Sequence, residues 1–202
     1  MGLAVPGCLP LGAAQDCLMR VAWCVAAAYQ LDPAIAIDQI KAVGPVWGSW
    51  RTWRNCATDN VICHDRAKAR ELLDRAFQAV CNFFIPRAHY EFLQRPVGIK
   101  LYEGDYQEQV DDIEDIIALQ LAGSSADIVL MLGYDLGSLP TPEDRFEQHK
   151  LVNRHGLIRS AIADAVQTQW VVIDHPGDLD KAYQNIPNLT CDTMQNALQL
   201  LV

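Results

Sequence analysis

Near residue 97 the spacing of apolar and polar positions changes. Beyond it, short continuous apolar runs alternate with stretches of helical period. Residues 97–102 predict a strand, and 107–121 a helix with Val110, Ile113, Ile116, Ile117 and Leu121 turned inward. Residues 127–132 predict a second strand, apolar without interruption, as in a strand covered on both faces. A loop carrying Pro140 and Pro142 leads into a helix over about 142–166. A strand at 169–173, another at 188–191 and a closing helix at 194–201 complete the series. Strand and helix in alternation predict a parallel sheet with right-handed crossovers.

Before residue 97 the spacing reads as helical. Residues 13–30 are rich in Ala, with Leu18, Val21, Val25 and Ala28 along one side. Asp32 and Pro33 suit the start of a second helix, which Gly44 and Pro45 break. A connector over 47–63 carries Trp47, Trp50 and Trp53. Asp65 then caps a helix reaching about Phe84, with a stripe of Leu72, Leu73, Ala76, Phe77 and Val80. The expected fold is α/β. A mainly helical N-terminal region (1–96) packs on a small Rossmann-like parallel sheet with flanking helices (97–202), the two forming one unit.

Composition narrows the function classes. Lys and Arg total 16 against 25 Asp and Glu, a net charge of −9, which argues against nucleic acid and anionic membranes as partners. Seven cysteines form no disulfide framework, which fits a reducing compartment. No C-x2-C pair occurs. Cys56, Cys63 and His64 come nearest to a metal set, and no metal is expected. No sequence feature names a cofactor. Residues 1–11 lack the pattern of a signal peptide, and the apolar run at 21–31 is too short to span a bilayer. A cytoplasmic protein without a membrane anchor is the expectation.

Candidate chemistry gathers where the predicted strands end. The first ends in Tyr102-Glu103-Gly104-Asp105, the second in Gly133-Tyr134-Asp135-Leu136-Gly137, and the third in Asp174-His175-Pro176-Gly177. Open parallel sheets bind ligands outside the carboxyl ends of their strands. Glycine admits close backbone approach, while Asp and His supply acid–base chemistry. Asp174, His175 and Asp135 are therefore the candidate catalytic residues, with His175 as base. Asp105, Gly133 and Tyr134 are candidate ligand contacts. The same residue types also turn any strand into a helix. Gly-x-Gly-x-x-Gly, P-loop and Gly-x-Ser-x-Gly fingerprints are all missing from the sequence.

The Trp connector supplies a second group. Arg51 follows Trp50 and Arg54 follows Trp53, so Trp50, Arg51 and Arg54 could stack a ring and hold a phosphate. Packing of the helical half onto the sheet is the competing use of the three Trp. Seven carboxylates fall between Glu103 and Asp115 with no basic residue, and they read as a solvated helix face at a favourable helix end. His155 beside Gly156 interrupts a helical pattern, since Gly there costs stability.

Three segments stand together: Trp50-Arg51-Thr52-Trp53-Arg54, Thr58-Asp59-Asn60-Val61-Ile62-Cys63-His64-Asp65 and Ala69-Arg70-Glu71-Leu72-Leu73-Asp74-Arg75-Ala76-Phe77. They resemble an uncharacterised group of bacteriophage proteins of the cyanophage and marine-phage type. Residues 127–135, 155–162 and 169–181 add to the likeness. The group has no assigned activity, so the resemblance implies a phage origin, in the host cytoplasm or the virion, and carries over no functional residue. Two functions are expected from the sequence. The first is binding of a nucleotide- or sugar-like small molecule at the strand ends, by a transferase or hydrolase or by a protein that sequesters the compound. The alternative is a non-catalytic phage assembly subunit or homo-oligomer, with apolar residues 1–12 or the Trp–Arg segment as its interface.

Overall fold

The structure is a computed structural model and describes residues 19–27, 29, 37–104, 113–137 and 145–199, without the side chains of 145–148. Among these residues eight strands form one parallel sheet. They are β1 (Val21–Val25), β2 (Val46–Ser49), β3 (Asn60–Ile62), β4 (Asn82–Pro86), β5 (Ile99–Tyr102), β6 (Ile128–Leu132), β7 (Gln169–Ile173) and β8 (Leu189–Asp192). Their order across the sheet is β5-β4-β3-β2-β1-β6-β7-β8. The chain therefore steps outward from β1 to β5, returns past it, and steps outward again on the other side. The expected α/β class holds.

The helical N-terminal region does not. Four strands, β1 to β4, lie before residue 97, and β1 is the centre of the sheet. Residues 21–25 form a strand because all five are buried, so an uninterrupted apolar run suits a position covered on both faces better than a one-sided helix. The Trp connector divides into β2 and helix α2 (Trp50–Cys56). Its break is set by Ser49, whose Oγ accepts the Thr52 N–H while the Thr52 hydroxyl accepts the Ser49 N–H, a reciprocal cap. The helix expected to reach Phe84 ends at Asp74 instead (α3, Arg66–Asp74), and Ala76 then takes a left-handed conformation. Beyond it Phe83 and Ile85 pack on one face of the sheet and Phe84 on the other, the alternation of a strand. The 96/97 boundary thus falls between two paired strands, β4 and β5.

Helices cover both faces. Ala22, Cys24, Val129, Met131 and Trp170 point to the face packed by α5 (Ile113–Gly123), α6 (Arg145–Asp164) and α7 (Lys181–Gln184). Val21, Trp23, Val25, Leu130 and Ile173 point to the opposite face, beneath α1 (Ile37–Val43) and α8 (Met194–Gln199). On that second face Val61, Phe83 and Ile85 meet α3 and the partly buried Trp50 and Trp53 of α2. The remaining helix, α4 (Arg87–Tyr90), follows β4 directly.

Mid-way along α6, Gly156 has no atom within 4 Å of the position a Cβ would take. It opens on a groove of about 450 Å³ that also holds Arg159, Ser160, Asn185 and Pro187. Gly156→Ala should therefore stabilise the protein by about 0.5–1 kcal/mol, read as a higher urea midpoint at unchanged slope. A lower midpoint would show that something packs against the helix at that glycine.

Candidate functional site

Because all strands are parallel, every strand sends its carboxyl end to one edge. The order reverses there between β1 and β6, where successive connections leave in opposite directions. Residues 28, 30–36, 105–112 and 138–144 follow β1, β5 and β6 in sequence and lie outside the described residues, Asp105 among them.

Two buried carboxylates organise this edge. Glu114 and Asp115 stand in the first turn of α5, whose positive end favours them, and are 6% and 1% exposed. Asp115 Oδ2 accepts the Ala27 N–H beyond β1 at 2.9 Å, and Glu114 Oε1 accepts the His64 N–H beyond β3 at 3.0 Å. Such charge-assisted bonds are roughly twice as strong as neutral ones. The return helix is thereby fastened to the ends of two strands. The solvated face expected of the acidic run fails at these two positions, and Asp111 and Asp112 lie outside the described residues.

Beside Glu114 sits a cluster that the strand-end loops of the sequence did not single out. His64 Nδ1 is 2.9 Å from the Tyr102 hydroxyl, and the His64 and His89 rings lie 5.9 Å apart. His64 and Tyr102 are 9% and 4% exposed. A histidine and a tyrosine in direct hydrogen bond can pass a proton between them; His64 follows β3, His89 lies in α4 directly after β4, and Tyr102 ends β5. The available signal was the run Asn60-Val61-Ile62, which, read as a strand, places His64 at its carboxyl end.

The expected catalytic residues divide. His175 and Asp135 come together, with Nε2 and Oδ1 4.0 Å apart. Leu136 N–H donates to His175 Nε2 at 3.2 Å, so the ring proton resides on Nδ1, which donates to the Gly177 carbonyl at 2.7 Å. Both ring nitrogens thus clasp backbone, and Nε2 could act as a base only after releasing Leu136. Asp135 Oδ1 accepts the Gly137 N–H. Asp174 turns away: it is left-handed at φ 51°, and its Oδ1 accepts the Met194 N–H at the start of α8. Its position is that of a link between β7 and α8.

Gly133 is exposed at the end of β6 with φ 74°, and Tyr29 lies against it. Tyr134 is a correction to the expected ligand contacts. Its side chain is in the core, 2% exposed, and its hydroxyl donates to the Asp115 carbonyl at 3.1 Å. Trp50, Arg51 and Arg54 stay together at the start of α2. The Arg51 and Arg54 guanidiniums lie 5.6 and 4.9 Å from the Trp50 ring centre, with Lys68 Nζ of α3 at 4.6 Å. Trp47 and Trp53 serve packing instead, against Phe84 and Phe77. Cys56 and Cys63 are buried, and burial pushes the Cys56 thiol up to about 11 and the Cys63 thiol further, so both stay protonated at neutral pH.

His155 packs edge-to-face on Tyr183, whose hydroxyl donates to the His155 carbonyl at 3.0 Å. Burial, then the charge of Arg154, holds the His155 imidazole below its usual range. Among the described residues no helix is long and apolar enough to cross a membrane. Comparison with known protein families, curated proteins and solved structures finds no match.

Proposed function

We propose that the chain binds a nucleotide- or sugar-like small molecule over the carboxyl edge of the sheet, between the β1–β6 reversal and the Trp50 cluster. The reversal of strand order at β1 carries this reading, because divergent connections there leave a crevice in doubly wound folds. Arg51 and Arg54 suit a phosphorylated ligand, and Trp50 gives them a fixed aromatic base. Where turnover accompanies binding, as in a transferase or hydrolase, His64 and Tyr102 are the pair placed to move a proton. A protein that only sequesters its ligand would use the same edge without that step.

Thermal unfolding against nucleotides, nucleotide sugars and cyclic dinucleotides tests the reading. A ligand at a hundred times its Kd adds about 2.7 kcal/mol, a rise of roughly 5–10 °C for a chain of this size. The rise should vanish in the Arg51→Ala/Arg54→Ala double variant while the ligand-free Tm stays in place. No rise with any of these compounds, or a rise unchanged in the double variant, sinks the proposal.

A further inference from the structure

Arg154 lies in the middle of α6 with its Nε buried and without a hydrogen-bond partner. The indole N–H groups of Trp23, Trp47 and Trp170 also lack acceptors, but they are neutral. Arg154 is partly exposed, so its charge keeps a path to solvent, but the buried Nε–H of a charged group left without an acceptor still costs free energy. Two carboxylates, Asp135 and Asp180, lie in the same neighbourhood without bonding to that N–H. Asp135 is turned to solvent and to the Gly137 N–H, and Asp180 Oδ1 accepts the Ala182 N–H. Neither makes an ion pair with Arg154.

The place matters as much as the defect. His155, the next residue, is held against Tyr183 of α7. The N-cap of α7, Asp180, donates its N–H to the Leu136 carbonyl at 2.9 Å, and Leu136 in turn meets His175 beyond β7. Arg154 therefore adjoins a residue that is linked, through Tyr183 and α7, to Leu136 and His175 beyond the ends of β6 and β7. Asp135 and Asp180 are close enough to act electrostatically on both His155 and Tyr183.

We propose that Arg154 anchors an oxyanion, a carboxylate or phosphate group of the ligand, beside the carboxyl ends of β6 and β7. The inference rests on the strand-end reading of function and gives that ligand a charged group on the β6 side of the reversal. Its planar N–H fork matches either oxyanion in two-point contact.

The test uses the whole chain, with inorganic phosphate and acetate as probes and chloride at equal ionic strength as the control. Phosphate or acetate should raise the wild-type Tm by about 3 °C or more, against no rise in chloride. The larger response identifies the group. Arg154→Met should lose that response and, without any anion, melt no lower than wild type, because an apolar side chain replaces an unpaired donor. In the wild type, the protected Arg154 Nε–H resonance should move on titration with the same anion. That measurement holds even where the variant folds poorly. An unmoved resonance, or an anion response that survives in Arg154→Met, overturns the anchor. A nucleotide response lost in Arg51→Ala/Arg54→Ala but kept in Arg154→Met would leave the strand-end site standing and remove only this inference.

Discussion

Trp170→Ala should cost about 4 kcal/mol and lower the Tm by roughly 10 °C. Trp170 is fully buried on β7 in the cluster formed with α5 and α6. The ring occupies space that Gly123 keeps open, since a Cβ at that glycine would lie 2.7 Å from it. The Thr168 hydroxyl fixes the same junction by donating to the Gly123 carbonyl at 2.8 Å. Because the Trp170 indole N–H has no acceptor, its removal strands no hydrogen bond, and the loss is apolar transfer plus cavity. The check is chemical unfolding: the urea midpoint should fall with the slope unchanged, and Trp170→Phe should recover more than half of the difference. A loss under about 1 kcal/mol would mean that α5 and α6 collapse onto the gap, contrary to a close-packed junction.

Gly133→Val should cost about 3 kcal/mol and abolish ligand response at the β1–β6 reversal. Two effects add. A left-handed φ of 74° charges an L side chain about 1–2 kcal/mol, more for a branched one. A Cβ there would also stand 2.4 Å from the Cβ of Tyr29, an atom too near the backbone to swing aside. Relieving such overlap costs a further 1–3 kcal/mol or so. Gly177→Ala is the matched control, having no atom within 4 Å of its Cβ position, and should leave stability nearly unchanged. Calorimetric unfolding of both variants decides the matter: equal stabilities would mean that Tyr29 does not bear on Gly133.

What the sequence made legible follows from the kind of pattern each element leaves. β6 is a five-residue apolar run between Asp127 and Gly133, and β7 is four apolar residues after Gln169, ended by Asp174; both are too short for buried helices, and their ends lie within a residue or so of expectation. β2 and β3 span only four and three residues, less than any periodicity can declare. Trp spacing of three across the end of β2 then imitates one helix where a strand and a helix meet. β1 was hidden by alanine, a strong helix former whose preference was overridden by burial on both faces. The site divides on similar lines. Loops after β6 and β7 could be read locally, which placed His175 beside Asp135. The His64–Tyr102 contact joins residues 38 apart at the ends of β3 and β5, which β4 separates, so it depends on sheet order. The burial of Glu114 and Asp115 depends on where α5 returns across the sheet, which no local pattern reveals.

The central position of β1 has a consequence for how the chain is made. Its partner on one side, β2, leaves the ribosome soon after it, but β6 is far behind: the bridging ion pair of Arg20 with Asp127 spans 107 residues. At about 5–20 residues per second, one edge of this wholly apolar strand stays unpaired for on the order of 5–20 s of synthesis. During that interval the nascent chain presents Val21, Trp23 and Val25 on an open hydrogen-bonding edge, the feature that recruits other strands. Yield at high expression should therefore depend on translation speed between β5 and β6 more than on the stability of the finished sheet.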